Sequence, residues 1–210
     1  VCDAATEVVG FDRAAVFLYS AREQKLNGVW GTDTNGKRED IRSRQMDKRE
    51  LTQLGYHTLV LEGKDYTIIE DYPQECSPPP DSSMYGVKHH ARIALKVDGS
   101  VLGLVNADNL ITGRPITYED IVPLFPFVHE AAIAVRNAQL LAERENDIQI
   151  QNRLATLATA INANHDLNDI LTMFREALVE VVGFERANIW LYDERRKIWQ
   201  GHGSTISEEE

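Results

Sequence analysis

Val8-Val9-Gly10-Phe11-Asp12-Arg13-Ala14, running on to Leu18-Tyr19, decides the fold, because it returns as Val181-Val182-Gly183-Phe184-Glu185-Arg186-Ala187, running on to Leu191-Tyr192. The offset stays at 173 residues without a gap, so Arg22 meets Arg195, Gly28 meets Gly201, and the upstream Ala4 and Glu7 meet Ala177 and Glu180. A period of that size is a whole domain plus a connector, far longer than a solenoid repeat. Each copy reads as the end of a helix, a glycine stop suited to a left-handed cap, and an apolar strand. About 30 residues of helical pattern precede Gly183, whereas nine residues precede Gly10. The expectation is one domain at 1–140 lacking its first helix, and the start of a second at 150–210.

Working outward, residues 14–19 form the first strand of the leading copy, 21–27 a turn and 28–32 a second strand. Residues 34–49 are polar and read as a surface loop or short irregular element. Helical spacing at Leu51, Leu54, Thr58 and Leu61 predicts one helix over 50–61, stopped by Gly63. A β-branched strand follows at 66–70. Residues 71–83 hold four of the seven prolines, three consecutive at Pro78-Pro79-Pro80, which predicts a loop without helix. Strand-like runs at 92–97 and 101–107 flank Asp98-Gly99, the clearest hairpin signal in the chain. Thr117 with Glu119-Asp120 starts the next helix. From Pro126 to about Ala163 turn signals vanish, and Phe127, Ala131, Ala134, Ala138, Leu141 and Ile148 keep heptad spacing. This 127–163 segment is expected to be a long connecting helix. Small residues at Ala131, Ala134 and Ala138 permit close approach of a partner helix, so a parallel homodimer through this helix is favoured over a monomeric linker.

Composition narrows the function. Hydrophobic residues make up 43% and charged residues 26%, as in a globular protein with a core. A formal charge of −11 repels phosphate backbones and anionic lipids, which argues against nucleic acid and membrane surfaces as partners. No apolar run reaches the roughly 20 residues of a membrane span. The two cysteines, Cys2 and Cys76, form neither a disulfide framework nor a CxxC pair, so the expected compartment is the reducing cytoplasm.

Three stretches carry a family resemblance: Val101-Leu102-Gly103-Leu104-Val105-Asn106-Ala107-Asp108-Asn109-Leu110, then Arg114-Pro115-Ile116-Thr117-Tyr118-Glu119-Asp120, then Ala131-Ala132-Ile133-Ala134-Val135-Arg136-Asn137-Ala138-Gln139-Leu140. In this order they resemble the GAF family of small-molecule sensory domains. Asp166-Leu167-Asn168-Asp169-Ile170-Leu171 before Gly183-Phe184-Glu185-Arg186-Ala187 looks like the opening of a second such domain. The resemblance implies an α+β fold, a central antiparallel sheet with helices that lead in and out on one face and a ligand pocket on the other. It also implies a place in a bacterial-type signal-transduction protein, such as a sensor histidine kinase of a two-component system, whose output domain lies elsewhere. Catalysis within the chain is not expected.

Ligand identity stays open. The family's cyclic-nucleotide motif is not matched, because Asn106-Ala107-Asp108-Asn109 lacks its Lys and aromatic. Cys76 stands ten residues before Gly86-Val87, near the place of a bilin-linking cysteine, yet Ser77 follows it where a His is typical. A loop residue is the favoured reading of Cys76, over a chromophore or redox role. His89 and His90 are adjacent, so on a strand they point to opposite faces and cannot clamp one metal or haem iron together. They read best as solvated residues at a strand start, and no metal site is expected. Asp71 and Tyr72, with Trp30, Tyr66 and Arg92 on flanking strands, are the candidate wall of a ligand pocket. The structural alternative makes Trp30 and Tyr66 core and Asp71 a cap. The overall expectation is a sensory module that binds an unidentified small molecule or partner and relays a signal through a dimeric helix. A purely structural dimerisation module with an empty pocket is the competing reading.

Overall fold

Central strands that are buried on both faces build the first part of the chain around one sheet. The computed structural model describes residues 1–163, 166–180 and 183–204. The chain divides into two compact units, Val1–Gln139 and Leu140–Glu210.

In the first unit a short π-helical turn at Ala4–Val8 leads through Gly10 (φ +85°) into β1 (Arg13–Ser20), β2 (Lys25–Thr32), β3 (Arg38–Asp40) and β4 (Gln45–Met46). Helices α1 (Lys48–Gln53) and α2 (His57–Val60) precede β5 (Tyr66–Ile69) and α3 (Tyr72–Cys76). Then come β6 (His90–Val97), β7 (Ser100–Asp108) and α4 (Tyr118–Ile121). The seven strands form one antiparallel sheet in the order β3-β2-β1-β7-β6-β5, with β4 also paired to β2. Asp98 (φ +49°) and Gly99 (φ +77°) make the tight β6–β7 turn that the Asp-Gly pair predicts.

Alternation sends two residue sets to opposite faces. On one face Val16, Ile93, Leu95, Val105 and Ala107 pack with Ile121, Leu124, Val128 and Ala132. On the other Phe17 and Leu104 pack with Leu26, Ile41, Leu51, Tyr56 and Val60. A smaller cluster of Ile69, Tyr72 and Val87 closes the far side of this second face.

The structure corrects several local expectations. The single helix expected over 50–61 is two, α1 and α2, because Gly55 at φ +72° takes a left-handed turn between them. The segment 71–83 does contain a helix, α3. Pro73 sits in its first turn, where no intrahelical N–H is needed, and Asp71 accepts from Gln74 N at 3.1 Å. Ser77 (φ +45°) ends α3 just before the proline run. The polar 34–49 stretch supplies the edge strands β3 and β4, and β2 begins at Lys25 inside the predicted turn.

Helix α5 (Phe125–Ala163) is continuous over 39 residues and crosses from the first unit into the second. Val128 and Ala132 bury against the sheet, whereas Phe127, Ala134, Ala138, Leu141 and Ile148 are exposed and Ala131 is half-buried. The second unit adds α6 (Leu167–Glu180), β8 (Asn188–Asp193) and β9 (Ile198–Ser204). Backbone details recur at the sequence offset. Phe11 N donates to Ala5 O and Phe184 N to Leu178 O. Gly10 and Gly183 have φ of +85° and +82°, and Gln24 and Lys197 have φ of +53° and +54°. The partners Phe17 and Gly28 reappear as Trp190 and Gly201. Residues 164–165, 181–182 and 205–210, which include the repeated Val181-Val182, fall outside the described residues. No helix among the described residues is long and apolar enough to cross a membrane.

Candidate functional site

The strand phase that buries Phe17 and Leu104 on one face of the sheet also buries polar residues there. Arg13, Asp108 and His90 are aligned across β1, β7 and β6. Arg13 grips Asp108 with two parallel bonds, Nε to Oδ1 at 2.9 Å and Nη2 to Oδ2 at 2.7 Å, and both side chains are buried. Planar bidentate pairing of this kind is the strongest ion-pair geometry available to arginine. Arg13 Nη1 also donates to Ser83 O at 2.8 Å, and Nη2 lies 3.6 Å from Met84 Sδ. The pair therefore straps the segment before β6 onto the sheet. Asp108 Oδ1 further accepts from Leu110 N at 3.0 Å, which fixes the exit of β7.

The next row holds Ala15, Asn106 and Arg92. Asn106 Nδ2 donates to the Tyr56 hydroxyl at 2.9 Å, while its Oδ1 is buried without a protein partner. Between these rows and the covering segments lies a cavity of about 180 Å³. Ala15, Phe17, Met46, Leu54 and Met84 make its apolar wall, and Tyr56, Tyr72, His90 and Asn106 supply polar groups. The Tyr72 ring stands edge-on to His90 with centroids 5.1 Å apart. Burial raises the hydroxyl pKa of both Tyr56 and Tyr72. Burial, then the charges of Arg92 and Arg13, holds His90 well below the usual histidine range, so the ring is neutral. Arg92 Nε lies 3.3 Å from His90 Nδ1 and donates to it, which leaves the proton on Nε2.

Arg92 itself is 1% exposed. Its guanidinium lies 4.0 Å from the centroid of the Tyr56 ring, and Nη2 reaches Cys76 Sγ at 3.7 Å. Stacking on a tyrosine face is favourable for a guanidinium, and more so when both are shielded from water. Arg92 borders a second cleft of about 310 Å³ between the α1–α2 turn, β5 and α3.

The architecture is an antiparallel sheet with helices on one face and a covered cavity on the other, followed by a long helix. The GAF domain family matches residues 1–135. The chain belongs to the GAF domain family. Among solved structures, the fold is similar to the GAF domain of an Acinetobacter phosphoenolpyruvate-protein phosphotransferase (TM-score 0.53, 10% identity, 66% of this chain and 80% of that chain). It is similar to a methyl-accepting chemotaxis protein (TM-score 0.52, 18% identity, 67% of this chain and 87% of that chain). It also resembles a bacteriophytochrome of the photosynthetic bacterium R. palustris (TM-score 0.54, 15% identity, 99% of this chain and 45% of that chain). At these identities the likeness is one of fold. No curated protein matches in sequence.

In this GAF domain the residues expected to line one pocket are divided among four places. Tyr72 borders the central cavity and Arg92 the neighbouring cleft. Asp71 is exposed and caps α3. Trp30 lies 38% exposed with the Arg38 guanidinium 4.6 Å from its ring centroid, and its strand partner Val16 packs on the helix side of the sheet. Tyr66 also belongs to that side, with Tyr118 and Phe125 at 5.3 and 6.1 Å. His90 is a correction: read as a solvated strand-start residue, it is fully buried on the cavity wall, while His89 is half-buried. Cys76 borders the cleft beside Arg92 and not the central cavity, which at about 180 Å³ is too small for a tetrapyrrole. Arg13, Asp108, Asn106 and Tyr56 were not singled out from the sequence as site residues. The available signal was strand phase: Asn106 and Asp108 are polar at alternate positions of an otherwise apolar strand, as His90 and Arg92 are on its neighbour.

Proposed function

We propose that residues 1–139 are a sensory module whose central cavity takes a small, largely apolar ligand carrying a hydrogen-bond donor. GAF domains are sensory and regulatory modules of signalling proteins, and this reading gives the present one a ligand of few heavy atoms. The observation that carries it is Asn106 Oδ1, a buried acceptor without a protein partner on the wall of an apolar cavity. Leaving such an acceptor unpaired costs about 1–3 kcal/mol, which a ligand donor recovers. His90, with its proton on Nε2, supplies a neutral donor on the same wall, and Tyr72 a hydroxyl that stays protonated at neutral pH.

The relay is read from α5. Phe127, Ala131, Ala134, Ala138, Leu141 and Ile148 keep the 4-3 alternation of a coiled-coil seam; Val128 and Ala132 bury against the sheet, Ala131 at the margin of the seam also packs on that core, and the other five are exposed. We place the homodimer on that free seam. The signal then passes to an output domain, with residues 150–210 belonging to a second GAF-like domain. The recurrent hydrogen bond, positive φ angles and strand register at the 173-residue offset support that last assignment.

Native mass spectrometry of the purified protein tests the sensor reading. A bound small mass, lost in Asn106→Leu while the fold is kept by circular dichroism, is the expected result. A stable dimer with no ligand, in the presence of a metabolite library, would sink it and favour the structural dimerisation module. The small cavity is the one observation on that side, since ligand sites commonly run to roughly 300–1,000 Å³.

A further inference from the structure

We infer that the cleft between the α1–α2 turn, β5 and α3 is a separate binding site for a small monocarboxylate, held by Arg92. Two guanidiniums are buried in this domain, and they are treated differently. Arg13 has Asp108 in a bidentate pair. Arg92 has only neutral neighbours, His90 Nδ1, Cys76 Sγ and the face of Tyr56, and among the described residues no carboxylate lies within ion-pairing distance of it. A buried charge without a counter-charge is the unstable half of an ion pair. The cleft of about 310 Å³ that Arg92 borders is where the other half fits.

Two further features open the cleft to an anion. Thr67 is the direct strand partner of Arg92, so its side chain shares the same face, and its Oγ1 is buried without a partner. Gly55, in its left-handed turn, has no side chain, and a Cβ there would stand 3.3 Å from Arg92 Nη1. The glycine thus puts no side chain between the cleft and the guanidinium, which is itself buried. A carboxylate is planar and matches the arginine fork with two oxygens, and the Thr67 hydroxyl provides a third donor. Glu75, exposed on α3, borders the same cleft. Its negative charge opposes doubly charged oxyanions more than singly charged ones, which selects a monocarboxylate over sulfate or hydrogen phosphate.

Amide NMR on the 210-residue chain, titrated with sodium acetate against sodium chloride at constant ionic strength, tests this. Saturable shifts are expected at Gly55, Thr67 and Cys76, with Ala15 and Met84 on the central cavity unmoved, so the outcome is independent of what fills that cavity. Thr67→Val, a shape-preserving change on a half-buried strand residue, should weaken acetate about three- to tenfold. Arg92→Lys, which keeps the charge and loses the fork, should weaken it further, and Glu75→Gln should tighten it. Absence of saturable shifts in both the wild type and Glu75→Gln would overturn the site. So would acetate binding left unchanged by Thr67→Val and Arg92→Lys, and sulfate binding at least as tight as acetate would overturn the carboxylate assignment.

Discussion

Arg13 and Asp108 are mutually dependent because both are buried and each is the other's only compensating charge. Asp108→Asn keeps the shape and removes the charge, so the Arg13 guanidinium is left uncompensated beneath the Ser83–Met84 strap. Breaking a buried pair in this way costs about 3–5 kcal/mol. Urea denaturation should show that loss, and a change under about 1 kcal/mol would mean that solvent reaches Arg13. His90 makes a pH prediction. Its folded pKa lies well below its ordinary 6.5, so folded and unfolded chains bind no proton there above that pH. As pH falls below 6.5 the unfolded chain takes up a proton and the folded one does not. The stability tied to neutral His90 is therefore whole above 6.5 and declines below it, by up to about 1.4 kcal/mol per pH unit. Between pH 7.5 and 5.5 the wild type should lose about 1.4 kcal/mol more than His90→Gln in denaturation curves, most of it below pH 6.5; equal losses would remove His90 as the source.

At the scale of elements, Gly103 shows why the β1–β7 pairing is so close. A Cβ at this position would stand 2.2 Å from Phe17 O, a backbone atom with nowhere to move. Gly103→Ala must therefore spread two central strands, and a loss of about 1–3 kcal/mol or more in chemical denaturation is expected. Unchanged stability would show that the strands separate freely at that point. Elements with a strong local signal were legible in advance: the β6–β7 hairpin from Asp98-Gly99, the long helix from the absence of turn residues, the strands from their apolar and β-branched runs. Helix α3 was hidden because its prolines fall in and after its first and last turns, where they are tolerated, and prolines by count alone read as loop. The α1–α2 break rests on one backbone angle at Gly55, which the side-chain pattern of Leu51, Leu54 and Leu61 does not reveal. Of the candidate site, Tyr72 and Arg92 could be named as residues, but their separation into two chambers could not. The row Arg13, Asp108, His90 joins positions up to 95 residues apart, and only the sheet order brings them together.

For the whole molecule, the question is whether two chains meet on α5, and the exposed seam allows a clean answer. Leu141 is 62% and Ile148 47% exposed in the single chain, so neither contributes much to its folding. If they form the seam of a parallel dimer, each is buried against its twin, and a lysine at both positions sets like charges facing each other along the helix. The double variant Leu141→Lys, Ile148→Lys should then sediment as a monomer. Its thermal unfolding, followed at a concentration where the wild type is also monomeric, should stay within about 0.5 kcal/mol of the parent, as surface substitutions do. Phe127 tests the other end of the same seam. It is 41% exposed at the start of α5, next in sequence to the buried Val128 and about 100° from it around the helix, and Phe127→Lys should loosen the dimer without releasing the helix from the sheet. If both variants sediment as the wild type does, the seam is solvated and the relay must leave the domain by the face that carries Val128 and Ala132. In that case a ligand in the central cavity could reach α5 only through the sheet itself, where Phe17, Leu104 and Asn106 on one face alternate with Val16 and Val105 on the other.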